Sequence, residues 1–259
     1  MDLTLKSYLQ TRDLLKAVRV RYIFLVLLVV YSSFLNADSC DGDCKDGKGI
    51  KLFSNGDRYE GNFKNGKFDG EGSLESPKGY KYSGQFKEGK KNGFGIWNSR
   101  LINNKSVKET INSLQTKEAK DELAQRSIYY EGEWKNNKRE GNGKLIIKKN
   151  GKTKKYSGFF INGKLNGQGM LETEFAKYIG IFKNNRLNGQ GIFENKDGEK
   201  YVGGFINFKF DGKGTYTFKD KTLYIGDFKS GKFHGKGRLF SSKHKIIRSG
   251  KWEAGEFKK

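Results

Sequence analysis

The stretch Tyr59-Glu-Gly-Asn-Phe-Lys-Asn-Gly-Lys-Phe-Asp-Gly-Glu-Gly72 decides the fold, because its pattern returns along most of this 259-residue chain. An aromatic residue, a glycine and a second aromatic residue alternate with polar residues, and a Lys/Asn/Gly turn and a Gly-x-Gly follow. Successive copies start 22, 23 or 26 residues apart, except for one step of 48. A short period kept over most of a chain predicts stacked, nearly identical units. The copies start at Tyr59, Tyr82, Tyr130, Tyr156, Tyr178, Tyr201 and Tyr224.

Each unit predicts a β-hairpin. In the first unit Tyr59, Gly61 and Phe63 are two residues apart, so they face one side of a strand. The Asn-Gly pair that follows tolerates the positive φ of tight hairpin turns. The other copies have Gly or Asn at the second turn position except one, which has Phe208, so we expect a distorted turn there. A single hairpin is marginally stable in water, so the units need one another.

The recurring Gly-x-Gly requires a reason, because glycine weakens the interior of a strand. We interpret it as space: a position without Cβ lets an aromatic ring of the neighbouring unit lie against the backbone. The aromatic rows would then stack from hairpin to hairpin. The predicted packing residues are Tyr59, Phe63, Tyr82, Phe86, Tyr130, Trp134, Tyr156, Phe160, Tyr178, Phe182, Tyr201, Phe205, Tyr224, Phe228 and Trp252.

The repeated residues resemble the MORN (membrane occupation and recognition nexus) repeat. Seven copies in phase, with the half units Gly47-Lys-Gly49 and Arg248-Ser-Gly-Lys-Trp252, cover roughly 47–257. The resemblance implies an all-β fold, an elongated single-layer solenoid of stacked antiparallel β-hairpins. At the usual strand spacing its length is on the order of 75 Å. The resemblance also implies a binding or scaffold protein.

The N-terminal segment has a different composition. Lys16, Arg19 and Arg21 precede an apolar run over 22–35. As a helix this run would span ~21 Å, less than the ~30 Å hydrocarbon core of a bilayer. It predicts a secretory signal peptide, with an uncleaved membrane anchor as the alternative. Either would place the repeats outside the cytoplasm, secreted, periplasmic or tethered to a membrane. The predicted domains are 1–37 (signal or anchor helix), 38–97 (repeats), 98–128 (helical insertion) and 129–259 (repeats).

Cys40 and Cys44 follow the leader directly, and three roles stay open for them. Ala37-Asp-Ser-Cys40 could be a lipobox, with Cys40 lipidated after cleavage. Alternatively an ordinary signal peptide ends at Ala37, and the two cysteines form a small disulfide in an oxidising compartment. Third, one thiol could pair with a partner. Two cysteines with no further Cys or His nearby do not complete a tetrahedral metal site, so no metal is predicted.

The insertion over 98–128 predicts a helix. Ser106-Val-Lys-Glu109 is a capping-box signature, and Val107, Ile111 and Leu114 recur at roughly helical spacing. Such a helix would either dock a partner or cover a few aromatic residues of the sheet.

Residues for catalysis are sparse. The chain has two histidines, and His234 occupies a position where other repeats carry Asp, Asn or Glu, which is typical of a polar loop residue. The Gly-x-Gly pairs fall on strands rather than between a strand and a helix, unlike dinucleotide-binding loops. The segments outside the repeats are too short for a catalytic domain. We therefore predict no enzyme activity and no cofactor.

The charge is strongly basic, with 51 Lys and Arg against 29 Asp and Glu, a net charge of +22. Without 1–37 the chain keeps about +19, which attracts anionic surfaces in a salt-dependent way. We expect a protein partner or an anionic membrane surface, and no nucleic acid, because the aromatic residues are committed to packing. The alternatives are turn lysines that only solvate the sheet, a spacer that assembles end to end, and an accessory subunit of an enzyme. The candidate contacts are Lys64, Lys67, Lys87, Lys90, Lys135, Lys138, Lys183, Lys229 and Lys232.

Overall fold

The computed structural model describes residues 37–100 and 126–258, and these residues form one antiparallel sheet of 18 strands without a helix. The strands are β1 Ser39–Gly42, β2 Lys48–Leu52, β3 Arg58–Lys64, β4 Lys67–Ser76, β5 Tyr80–Lys87, β6 Lys90–Arg100, β7 Ser127–Lys135, β8 Lys138–Lys149, β9 Lys152–Ile161, β10 Lys164–Thr173, β11 Ala176–Lys183, β12 Arg186–Asn195, β13 Lys200–Ile206, β14 Lys209–Thr217, β15 Leu223–Lys229, β16 Lys232–Phe240, β17 Ile246–Glu253 and β18 Glu256–Lys258.

Each strand pairs with the strand before it and the strand after it, so the chain is a continuous meander with β1 and β18 at its two edges. This confirms the prediction of an all-β fold built from stacked antiparallel hairpins. The predicted signal or anchor helix lies outside the described residues. The sheet extends into the predicted insertion at both ends, because Asn98 pairs with Tyr129 and Ser99 with Ile128. The rest of that insertion, 101–125, lies outside the described residues.

The hairpin turns that close each repeat share one backbone geometry. Both central residues have positive φ, as at Asn65 (50°) and Gly66 (71°). The expectation of a distorted turn at Phe208 is wrong, since its φ of 67° matches that of Asn185, 66°. A left-handed conformation costs a non-glycine residue roughly 1–2 kcal/mol. Phe208 is held there because its amide donates to the Leu187 carbonyl (3.1 Å) and its ring packs on Tyr178, with centroids 5.2 Å apart.

In five of the seven repeats the tyrosine ring explains why the return strand carries glycine. Tyr59 is fully buried, and its hydroxyl donates to the Asn62 carbonyl at 2.9 Å. A Cβ on Gly72 would lie 2.6 Å from Tyr59 Cζ, so the ring occupies the space that glycine leaves. The ring belongs to the same hairpin, which corrects the expectation that a neighbouring unit supplies it. The neighbour contributes Phe86, packed edge-on at 5.2 Å.

Two of the predicted packing residues, Tyr156 and Tyr178, are only half-buried, and the residue nine positions later explains why. In their repeats Leu165 and Leu187 fill the glycine space and are fully buried. Where that position holds phenylalanine, the ring stacks flat on the tyrosine, as Phe68 does on Tyr59 at 3.6 Å. The same stacking joins Phe210 to Tyr201 and Phe233 to Tyr224. In the two remaining repeats the position holds Lys91 and Arg139.

Candidate functional site

The nine predicted contact lysines flank five of the hairpin turns, and all nine are exposed. Antiparallel pairing brings all these turns to the same side of the sheet, along the line where the strands end rather than at the edge strands β1 and β18. We call this side the turn edge. Two neighbouring turns are two strands apart, or about 10 Å. That distance slightly exceeds the Debye length of ~8 Å at physiological salt, so the fields of neighbouring turns overlap in part there and more strongly at low salt.

Charges of the same sign stand directly opposite each other at these turns. Lys64 pairs across the hairpin with Lys67, and Lys87 with Lys90. Opposed like charges destabilise a sheet by a few tenths to about 1 kcal/mol per pair. The other pairs at the turn edge are Lys135 with Lys138, Lys183 with Arg186, and Lys229 with Lys232.

Acidic side chains of the described residues do not form salt bridges with these lysines. Within 37–100 and 126–258 none of the nine forms a salt bridge, and the one side-chain hydrogen bond runs from Lys138 Nζ to Asn162 Oδ1 at 3.1 Å. Elsewhere on the sheet opposite charges do pair, as in Lys155 with Glu172 (2.7 Å) and Lys81 with Glu75 (2.5 Å). The sheet therefore forms cross-strand ion pairs away from the turn edge, whereas the nine lysines at the turn edge form none among the described residues.

Hydrogen bonds between successive turns hold the turn edge in a fixed geometry. The Gly89 amide donates to the Phe68 carbonyl at 2.8 Å, and the Glu88 amide donates to Asp69 Oδ2 at 3.1 Å. The equivalent backbone bond recurs from repeat to repeat, for example from Gly231 to the Phe210 carbonyl. The backbone that carries these cations is therefore fixed before a partner binds, and it would lose little conformational freedom on binding.

Sequence reasoning missed three cations of the same edge. Arg186 faces Lys183, while Lys164 faces Ile161 and Lys209 faces Ile206. The signal was present in the sequence, because each occupies the residue after the two central turn residues, as Lys67 does. With these three, all seven hairpin turns from Lys64 to Lys232 carry at least one cation.

Cys40 and Cys44 form a disulfide at the first edge of the sheet, with the sulfur atoms 2.01 Å apart. Cys40 lies in β1, and the bond joins it to the turn that leads into β2. Cys44 Sγ also lies 3.7 Å from the Ile50 carbonyl of β2. The bond therefore ties the short edge strand to the sheet.

The described residues supply little that resembles catalytic or metal chemistry. They contain no group of three or more His, Cys, Asp or Glu side chains that could hold a metal ion. His234 lies on β16 opposite Asp227, at the position that holds Asp69 in the first repeat. Over the same residues, no helix has the length and apolar character needed to cross a bilayer.

Comparison with known proteins agrees with the repeat period. No curated protein matches the chain at a significant level. The family described as MORN repeat matches residues 45–58, 59–79, 82–97, 130–152, 156–172, 178–200, 201–222 and 224–244, which together make up more than half of the chain. The matched segments coincide with the stacked hairpins of the sheet, and the chain belongs to the MORN repeat family.

Proposed function

We propose that this protein is a non-catalytic binding or scaffold protein, exported from the cytoplasm, whose turn edge docks an acidic protein or an anionic membrane surface. The observation that carries the proposal is the set of five like-charged pairs at the turn edge, whose lysines form no salt bridge among the described residues. These pairs cost stability, and the same sheet pairs opposite charges elsewhere. An anionic partner that lies along the turn edge would remove the repulsion on binding.

The proposal is tested by removing one lysine from each pair. In the turn variant, glutamine replaces Lys64, Lys87, Lys135, Lys183 and Lys229. The probes are vesicles of phosphatidylglycerol and phosphatidylcholine, for the membrane, and poly-glutamate, for an acidic protein. Because a lysine near an anionic surface contributes ~1 kcal/mol, binding to at least one probe should weaken by about tenfold or more. The affinity is measured by co-sedimentation for vesicles and by calorimetry for poly-glutamate.

A matched control separates the turn edge from net charge. In the loop variant, glutamine replaces five exposed lysines at the opposite edge of the sheet, in the loops between hairpins or at the strand ends beside them: Lys78, Lys148, Lys152, Lys196 and Lys243. Both variants lose five charges, but only the turn variant should lose affinity. Equal losses would reduce the interaction to non-specific attraction and would contradict the proposal. The probe that binds more tightly distinguishes a membrane from a protein partner.

Export predicts a mature chain that starts near Asp38. The disulfide at Cys40 supports this form, because a lipidated Cys40 could not make that bond. Intact mass of the protein from the producing cell should therefore show cleavage of 1–37 and a mass two hydrogens below that of the reduced chain. A mass that starts at Cys40 with acyl chains added would instead establish a lipoprotein. An uncleaved chain in the membrane fraction would establish an anchor.

End-to-end assembly as a spacer has less support from the edge strands. β1 and β18 are four and three residues long. At β18 the charged residues Glu256 and Lys258 pair with each other at 3.4 Å. Short, charged edge strands are features that prevent strand pairing between molecules. We therefore favour docking along the turn edge over end-to-end assembly.

A further inference from the structure

Two cations lie on the aromatic face of the sheet, where the other repeats place apolar side chains. Lys91 and Arg139 occupy the position nine residues after the repeat tyrosine. Five other repeat tyrosines are followed at this position by an apolar residue, either a phenylalanine that stacks on the tyrosine or a leucine that fills the space over the glycines. The substitution occurs in two neighbouring repeats, on either side of Trp134. This part of the aromatic row therefore contains charge instead of a ring or a leucine.

A pocket of about 410 Å³ opens at this place. Its apolar walls are Trp97, Ile128 and Trp134, and its cations are Lys91, Lys138 and Arg139. Among the residues that the structure describes, no acidic side chain lines it. Pockets of a few hundred Å³ with apolar walls and a few convergent polar groups are typical of small-ligand sites.

Rings and one carbonyl hold the two inner cations in place. Lys91 Nζ lies 5.0 Å from the ring centre of Tyr82 and 5.1 Å from that of Trp134. Arg139 Cζ lies 5.6 Å from the ring centre of Tyr130, and Nη2 donates to the Gly163 carbonyl at 3.0 Å. Among the described residues neither has a salt-bridge partner. Burial lowers the pKa of both groups, so an anion at this place would restore favourable interactions that the fold leaves unmade.

We propose that this pocket binds a small organic anion, with its acidic group against Lys91 and Arg139 and a flat apolar body against Trp97 and Trp134. The guanidinium fork retains donors beyond the one bound to Gly163, and the ammonium group retains its own donors. A carboxylate, sulfonate or phosphate could accept from both. The indole rings supply the apolar contact. The pocket shares Lys138 with the turn edge, but the binding proposed here does not depend on docking along that edge.

The tryptophans provide a direct readout. The full chain has three, of which Trp97 and Trp134 line the pocket, whereas Trp252 lies in the last hairpin. The indole N–H signals in a nitrogen–proton correlation spectrum are assigned by replacing each tryptophan with phenylalanine. Benzoate, benzenesulfonate and phenyl phosphate are titrated as probes, with neutral benzamide and ring-free acetate as controls. At least one aromatic acid should shift the Trp134 or Trp97 signal saturably and leave Trp252 in place.

A double substitution tests the two cations. In Lys91→Phe/Arg139→Phe, both positions take the residue that other repeats use there, so the hairpins should still form. The affinity for the binding acid should fall by at least about tenfold, because two charge-assisted hydrogen bonds are lost. Lys183→Gln/Lys229→Gln removes the same number of charges outside the pocket and should leave the affinity unchanged. If the phenylalanine pair disturbs the Trp252 signal, Lys91→Met alone serves as the second variant.

The proposal is overturned by any of three results. In the first, none of the three acids produces a saturable shift at Trp97 or Trp134. In the second, benzamide shifts these signals as strongly as the acids do, which would leave only apolar contact. In the third, Lys91→Phe/Arg139→Phe and Lys183→Gln/Lys229→Gln lose affinity equally, which would make the interaction a general effect of net charge.

Discussion

Gly143→Ala is expected to lower the free energy of unfolding by about 3 kcal/mol. A Cβ at this position would lie 2.6 Å from Cζ of Tyr130, well inside the contact distance. Tyr130 is fully buried and its hydroxyl donates to the Glu133 carbonyl at 3.0 Å. The methyl group would force the ring out of its place, so the repeat would lose both the packing of a large side chain and a hydrogen bond. Urea unfolding of the full chain, followed by far-ultraviolet circular dichroism, measures the loss.

The chain contains a matched control at the same repeat position. Gly169 lies in a repeat of the leucine type, where the added Cβ would meet Leu165 Cδ2 at 3.0 Å, Leu165 Cδ1 at 3.1 Å and the Ser157 carbonyl oxygen at 3.1 Å, all farther away than Tyr130 Cζ is from the Cβ on Gly143. The tip of a leucine can move by a few tenths of an ångström, so Gly169→Ala should cost only about 1 kcal/mol. If the two alanine variants lose the same stability, the glycine is not needed to make room for the tyrosine ring.

Alkaline unfolding is the second large effect that we expect. Burial, and then the charges of Asp69 and Glu71, raises the pKa of Tyr59 to about 12, against about 10 in an unfolded chain. Burial raises the pKa of Tyr224 likewise to about 12. A group with a raised folded pKa contributes stability that is complete below pH ~10 and is lost as the pH rises past its folded value. The same direction holds for Tyr82, Tyr130 and Tyr201.

The sheet should therefore lose stability progressively between about pH 10 and 12 and unfold cooperatively as tyrosinate forms. Tyrosinate absorbance and circular dichroism, recorded during one titration, should change together. Tyr201→Phe provides the control. It removes the bond from the hydroxyl to the Gly204 carbonyl (2.9 Å) and should lower stability by about 1 kcal/mol at pH 8. Because the variant has one titrating group fewer, it should lose less stability between pH 8 and pH 11.5. Smooth, independent ionisation of all tyrosines without unfolding would contradict this account.

The repeat and its hairpins could be predicted from the sequence because both depend on local rules. Tyr59, Gly61 and Phe63 alternate along one strand, and the Asn65–Gly66 pair has few conformations other than a tight turn. The partner of the glycines was not predictable in the same way. A missing Cβ indicates space without showing which ring enters it, and only the cross-strand pairing of Gly61 with Gly72 places Tyr59 there.

Other features depended on contacts between repeats. Phe208 keeps a regular turn because Tyr178 and the Leu187 carbonyl hold it, and neither is close in sequence. The division of repeats by the residue nine positions after the tyrosine likewise became visible only from the packing. Of the candidate site, the sequence indicated the turn lysines and their exposure. It did not indicate that they face like charges across each hairpin and form no salt bridge among the described residues, because that depends on the register.

The salt dependence of binding tests the central claim most directly. The affinity of the full chain for its better probe, anionic vesicles or poly-glutamate, is measured from about 50 to 300 mM NaCl. Screening shortens the Debye length over this range, so binding through a row of exposed cations should weaken steeply. The account predicts a steep decline for the natural chain and the loop variant, and a clearly shallower one for the turn variant. The same slope in all three proteins would show that the turn edge does not carry the interaction.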